Sequence, residues 1–166
     1  MGENPTIIFK QIGVVRRNSS DDQVRSRVDG LKSEIEIFQE FEQALDGLTG
    51  FSHIFVIGFF NRLRPEQIGP LKVKPRGLLR EGFKLEELPT LGVFALDSPT
   101  RPNPIGLALV RLLKIDRNIL TVTDLDFFDG TPIIDLKPYQ NSYRVEEGKF
   151  SFPEWHLELL RRAGHV

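Results

Sequence analysis

Along most of this chain the apolar side chains recur with the period of a strand rather than that of a helix. Ser33–Phe38 alternates polar and apolar residues, the pattern of a strand with one buried face. Phe41, Ala44, Leu45 and Leu48 then fall at i, i+3, i+4 and i+7, which predicts a short amphipathic helix ended by Gly47 or Gly50. Phe51–Phe60 is almost continuously apolar, β-branched and aromatic, and reads as a central strand buried on both faces. Leu107–Ile115 and Ile119–Phe128 are two further apolar runs joined at Asp116-Arg117-Asn118, a predicted β-hairpin.

Weaker signals fill the gaps. Ile7–Val15 predicts one or two short strands interrupted near Gly13, and the polar stretch Arg16–Gly30 predicts a long loop. Asn61–Pro89 is broken by four prolines and three glycines and reads as a surface excursion, followed by a short strand at Leu91–Leu96. Asp129-Gly130 is a turn and Pro132–Tyr139 runs out extended. Pro153, Trp155, Leu159 and Leu160 predict a C-terminal helix with Pro153 in its first turn, covering a barrel end or packing on a second subunit. About seven short strands with two short helices and tight connections imply a mainly antiparallel sheet closed into a β-barrel, a single domain over residues 1–166.

Composition narrows the chemistry. Twenty-two basic against twenty-three acidic residues exclude a polycation, so any nucleic-acid contact must rest on a local patch. Such a patch exists between Arg62 and Lys84, where seven basic residues, among them Lys74 and Arg76, face two acidic ones. It suits phosphate neutralisation, although a solvated loop has the same composition. The absence of cysteine removes thiolate catalysis and sulfur-ligated metal sites. His53, His156 and His165 lack metal-ligand spacing, so no metal is expected. None of the fourteen glycines lies two positions from another, which excludes the G-x-G-x-x-G dinucleotide turn, and the one Gly-Lys step precedes Phe150, which excludes a Walker loop. With no signal-peptide pattern and no apolar run of about 18 residues, a soluble cytoplasmic protein is expected.

Two segments carry candidate chemistry. In Ser98–Gly106, three prolines within six positions stiffen a loop that presents Arg101 and Asn103, ligand-handling side chains, though a connection that merely needs rigidity would look the same. Within fourteen residues the chain then places Asp126, Asp129, Asp135, Lys137 and Tyr139. In an extended stretch Asp135, Lys137 and Tyr139 share one face while Ile134 and Leu136 face the core. That polar face could bind a cation, supply a base, or simply form a solvated ion pair.

Gly92-Val93-Phe94-Ala95, Ser98 with Arg101–Gly106, Asp129–Pro132 and Asp135–Tyr139 together closely resemble the TsaA-like family, which includes the tRNA methyltransferase acting on N6 of threonylcarbamoyladenosine beside the anticodon. Through Ile12–Arg16 and Phe51-Ser52-His53 the likeness spans about residues 10–140, leaving 141–166 as an extension. The resemblance implies a β-barrel that binds S-adenosyl-L-methionine at or near a homodimer interface, with tRNA as substrate. Carried over by position, it implies cofactor contacts at Ser26-Arg27-Val28, Asn61-Arg62, Asp97, Leu107 and Asp124-Leu125-Asp126. Asp135, or else Asp129, then becomes the proton acceptor, with Lys137 and Tyr139 orienting the substrate. Arg101 and Asn103 would hold the nucleotide, and the excursion with Lys74 and Arg76 would grip the anticodon arm. This chain departs from the family twice. Asp97 stands in Ala95-Leu96-Asp97-Ser98 where an arginine is usual, and Asn61 stands where histidine is common. The alternative to an enzyme is a non-catalytic barrel that senses a nucleoside or the cofactor.

Overall fold

The structure, a computed structural model, describes residues 6–25 and 30–165. They form two compact units, Met1–Arg64 with Asn103–Tyr139, and Pro65–Pro102 with Gln140–Val166.

The first unit is a closed six-stranded barrel. Its strands are β1 (Gly13–Arg16), β2 (Lys32–Ile37), β3 (His53–Phe59), β6 (Ile105–Asp116), β7 (Ile119–Thr123) and β8 (Pro132–Pro138), in the order β1-β2-β7-β6-β3-β8. Every pairing is antiparallel, and β8 returns to β1 through Gly13↔Ile133 and Val14↔Pro132. Closure leaves no free edge for another strand to join. Val15, Ile35, Ile54, Val56, Val110, Leu120 and Ile133 point inward with no exposed surface. Each such side chain stabilises the fold by about 1.5–3 kcal/mol relative to exposure.

A barrel buries only one face of each strand within its own chain, and this corrects the reading of β3. Ile54, Val56 and Gly58 are buried, whereas His53, Phe55 and Ile57 stand on the outside, half-covered. The alternation expected of β8 is also shifted. Asp135 pairs with Ile57 but Ile133 with Gly58, so a bulge at Ile134 lets Ile133 rather than Ile134 fill the core. Asp135, Lys137 and Tyr139 nevertheless keep the outer face, because the bulge precedes them.

β7 ends at Thr123, earlier than its apolar run suggests, because Asp124 takes a left-handed conformation (φ 68°) and turns the chain. Leu125 and Phe127 tuck back into the barrel end instead. Space for the Phe127 ring comes from Gly58 and Gly106, which pair directly across β3 and β6. A Cβ on Gly58 would lie 2.7 Å from the ring, and one on Gly106 would lie 2.8 Å from it. Phe60 meets Phe127 edge-on at 5.2 Å and completes the plug.

Other expectations change in detail. Ile7, Ile8 and Phe9 are exposed and form no strand. The predicted helix near Phe41 is a 3-10 helix, Gln39–Leu45. The expected loop after Arg16 contains a short helix, α1 (Asp21–Arg25), whose Ser20 and Gln23 cap one another through backbone N–H groups.

The second unit takes in most of the proline-rich excursion and is more than surface. A two-stranded ribbon pairs β4 (Lys72–Val73) with β5 (Leu91–Gly92), and a 3-10 turn Val93–Ala95 takes the place of the rest of the strand expected to reach Leu96. Phe83 and Leu88 are buried against Leu159 of α2 (Glu154–Ala163), with Leu78 and Trp155 packed around them. The C-terminal helix therefore covers the 78–88 segment. It is preceded by Pro153 and closed by Gly164 in the left-handed conformation (φ 75°).

Candidate functional site

The strand registers bring several loops to one end of the barrel, where β1, β3 and β7 finish and β2, β6 and β8 begin. Asp21, Asn61, Arg62, Asn103 and the Asp124–Asp129 loop all gather at this end. At its centre is Arg17, a residue outside the sequence-derived set. Its backbone N–H donates to Asp129 Oδ1 at 2.9 Å, and its Nη2 donates to the Leu125 carbonyl at 2.8 Å and to Ser33 Oγ. Its Nε and Nη1 are buried without a partner. Burial lowers the pKa of this guanidinium from its usual value, while Asp126, Asp129 and Asp21 pull the other way. Strand period could have found it, since Val15 points in, Arg16 points out to Glu36, and Arg17 is the next inward position.

Arg62 ties the same end together. It donates to both oxygens of Asp21 at 3.1 and 3.3 Å and to the Asp129 carbonyl, and it lies over the Phe128 ring at 5.7 Å. Asn61 is exposed beside it. Asp124 is exposed and accepts from Thr123 Oγ1 at 2.8 Å, Asp126 is exposed, and Leu125 between them is buried as an anchor. The positions Ser26, Arg27 and Val28 lie outside the described residues. Among the described residues no group of three His, Asp or Glu side chains stands close enough to hold a metal ion.

A second grouping lies on the barrel's outer wall. Leu107, Ile57 and Asp135 are register neighbours across β6, β3 and β8, and strand spacing puts the outer two roughly 10 Å apart. Leu107 is 66% exposed, and Leu109 and Phe59 are exposed near it. Asp135 pairs with Lys137 at 2.9 Å and accepts the Leu136 N–H at 2.9 Å. Tyr139, four residues on, packs against Phe55 at 5.8 Å towards the opposite end of the barrel. Asp129 and Tyr139 are therefore separated by most of the length of β8. The predicted catalytic residues Asp135, Lys137 and Tyr139 form one row, and Asp129 belongs with Arg17 and Arg62.

In the second unit Arg101 faces its own loop. Its Nη2 donates to the carbonyls of Val93 and Leu96, the former at 2.9 Å, and its backbone carbonyl accepts from Gly69 N–H at 3.3 Å. Lys74 Nζ donates to the Leu85 carbonyl at 2.8 Å, while Arg76 and Asp97 are exposed.

The family model for the tRNA-methyltransferase O N-terminal domain matches residues 20–144. The chain belongs to this family. It is 37% identical over 162 residues to a probable S-adenosyl-L-methionine-binding protein of Pyrococcus abyssi, covering 95% of this chain and 82% of that one. It is 35% identical over 141 residues to the tRNA (adenine(37)-N6)-methyltransferase of Escherichia coli, covering 79% of this chain and 57% of the relative. A crystal structure of TrmO superposes with a TM-score of 0.67 at 26% identity, covering 89% of this chain and 64% of the other. The chain thus spans less than two thirds of the length of that solved structure and of the bacterial enzyme. The tRNA-methyltransferase O family match contains both groupings just described, apart from Arg17.

Proposed function

We propose that this protein transfers a methyl group from S-adenosyl-L-methionine to N6 of a modified adenosine, threonylcarbamoyladenosine, beside the anticodon of a tRNA. The observation that carries the reading is the gathering, at one barrel end, of Arg62 and the Asp124–Asp129 loop, the positions that the family resemblance implicates. The donor set fits the cofactor. Carboxylates of Asp124 and Asp126 suit ribose hydroxyls and an ammonium, and the guanidinium of Arg62 suits a carboxylate. When bound, the cofactor supplies an already activated methyl carbon on a sulfonium.

The chain's own task is then largely positional, since holding nucleophile and carbon in line about 3–3.5 Å apart removes most of the entropic barrier. Phe127, locked over Gly58 and Gly106, fixes the loop that carries Asp126. Leu125 and Phe127 keep the barrel interior dry beneath it. Asp135 accepts the proton that the nitrogen releases, and Lys137, 2.9 Å from its Oδ2, is placed to orient a substrate oxygen. The working form is a homodimer through the outer wall of β3 and β6. Leu107, Leu109 and Phe59 make that wall apolar, and an exposed apolar face of this kind favours a second copy.

Purified protein with labelled cofactor and tRNA from a strain lacking its own enzyme tests the reading, with label expected at N6 of the modified adenosine. Cofactor binding without transfer to any RNA would favour a non-catalytic sensor instead. Asp135→Asn should keep cofactor affinity and lose transfer; undiminished turnover removes Asp135 as the proton acceptor. Leu109→Arg should shift the protein from dimer to monomer in sedimentation, and an unshifted dimer excludes this wall.

A further inference from the structure

Phe94 is a large aromatic side chain left 84% exposed at the middle of a backbone that is unusually well secured. The residue before it, Val93, is 1% exposed, and its N–H donates to the Leu71 carbonyl at 3.0 Å. The carbonyls of Val93 and Leu96, on either side of the Phe94-Ala95 pair, both accept from Arg101. The same Arg101 also takes the Gly69 N–H, so the 69–71 segment and the 93–96 turn are fastened to a single residue. Two more exposed apolar side chains are Leu71 (69%), in the segment so fastened, and Ile68 (45%), immediately before it.

Hydrophobic burial would hide these three side chains, and solubility would replace them with polar ones. A rigid backbone displaying them instead is an arrangement for contact, because little conformational freedom remains to be lost on binding. The surrounding charge selects the partner. From Ile68 to Arg80 the chain carries Lys72, Lys74, Arg76 and Arg80 and no acidic residue. Of the nearby acids, Glu81 and Glu87 are engaged with His165 and Arg162 of the C-terminal segment, while Glu86 and Asp97 are exposed, fewer than the four cations. An apolar, aromatic tip flanked by cations complements a polyanion with flat apolar faces, namely an unpaired stretch of RNA.

We propose that Phe94, supported by Leu71 and Ile68, is a stacking platform for an unpaired base of the RNA substrate, with Lys72 and Arg76 on the adjoining phosphates. Arg101 acts as its positioning residue by fixing the turn. The inference rests on the tRNA reading above and adds to it the surface that receives the loop. Stacking on one aromatic side chain is sequence-tolerant and is lost on truncation, with an expected effect of about 5- to 150-fold in affinity.

The test is binding of full-length protein to tRNA lacking the N6-methyl group, measured across a salt series, together with calorimetry of S-adenosylhomocysteine binding. Phe94→Ala should weaken tRNA binding by that factor, leave the salt slope unchanged because no cation is removed, and leave S-adenosylhomocysteine affinity unchanged. Phe94→Trp should restore tRNA affinity, which a purely structural role for the ring would not allow at so exposed a site. Arg101→Lys should weaken tRNA binding by loosening the turn. Its charge is retained, so the salt slope again stays fixed. Undiminished tRNA binding by Phe94→Ala overturns the proposal, as does a change in oligomeric state alone, which would make the tip a protein contact. If wild-type protein binds no tRNA at all, the functional reading itself fails, and this one with it.

Discussion

Replacing Gly106 by alanine tests a tightly constrained contact in the barrel, the one that seats Phe127 and with it the Asp124–Asp129 loop. The added Cβ would lie 2.8 Å from two atoms of the Phe127 ring and closer still to Cζ of Phe60. Ordinary carbon–carbon contacts are about 3.5–4.0 Å, so both rings must retreat by roughly 1 Å. Phe127 is 1% exposed and has little room to retreat, whereas Phe60, which it meets edge-on, is only partly buried and gives way more easily. Overpacking of this kind costs about 1–3 kcal/mol, against which Gly→Ala contributes about 0.4–1 kcal/mol through a less disordered unfolded chain. The expected net loss is therefore about 1–2 kcal/mol, or roughly 2–8 °C in Tm for a chain of this size. Urea unfolding of Gly106→Ala, Phe127→Leu and the double variant gives the coupling directly. The smaller side chain should admit the new methyl, so the double variant should lose less than the two single ones together by at least about 1 kcal/mol. Strict additivity, or a Gly106→Ala protein as stable as wild type, would refute the packing argument. Because Phe127 anchors the loop bearing Asp126, cofactor affinity should fall in the single variant and recover in the double one.

Further outcomes follow from the same structure. Arg17→Met removes the Nη2 donor that binds Ser33 Oγ and the Leu125 carbonyl, while the backbone N–H to Asp129 stays, and should cost about 1–3 kcal/mol in urea unfolding; a loss below about 0.5 kcal/mol would show that these groups find other partners. Leu159→Ala opens a cavity in the small cluster with Phe83 and Leu88 and should cost about 2–4 kcal/mol, read by hydrogen exchange as lost protection in α2 and residues 76–88. Unchanged exchange there would contradict the packing. Glu87 should titrate below the ordinary carboxylate range, first because it accepts the Lys84 N–H and then because of Arg162. With a depressed carboxyl, its stabilising contribution is complete above the unfolded value and disappears as pH falls through the folded one. NMR titration of Arg162→Ala should show a partial rise, and an ordinary value in wild-type protein would refute the assignment.

The strands were legible where period-2 alternation meets a turn signal, as in β2 and in the β6–β7 hairpin. The alternation fails as a guide at single residues with unusual backbone geometry. Asp124, with φ at 68°, ends β7 in the middle of an apolar run, and nothing in Asp124-Leu125-Asp126 announces a left-handed turn. The bulge at Ile134 is likewise silent, because Ile133 and Ile134 are equally apolar and only the pairing with Gly58 selects between them. The excursion after Asn61 looked disordered in pattern because its few apolar residues, Phe83 and Leu88, find their partner Leu159 some seventy residues later. Of the site, the loop residues Arg62 and Asp126 came from family motifs. Arg17 was accessible from strand period alone, yet a polar stretch without further pattern concealed it.

The placement of the candidate residues also bears on how the site is completed. Asp129, Arg17 and Arg62 hold one another at the barrel end, whereas Asp135 and Lys137 lie beside Ile57 and Phe55 on the outer wall. Asp129 lies in the turn before β8 begins at Pro132, whereas Asp135 pairs with Ile57 within the sheet. Asp129 Oδ1 already accepts from the Arg17 backbone N–H, so loss of the carboxylate would loosen the loop whatever its chemistry. Loss of activity in an Asp129 variant would thus say little about proton transfer. Asp135, whose side chain is more than one-third exposed and which pairs with a neighbouring lysine and the next backbone N–H, can be changed to asparagine without disturbing a buried network among the described residues. Its substitution therefore separates chemistry from architecture, and Leu107, a register neighbour through Ile57, lies on the wall through which the dimer is proposed to form.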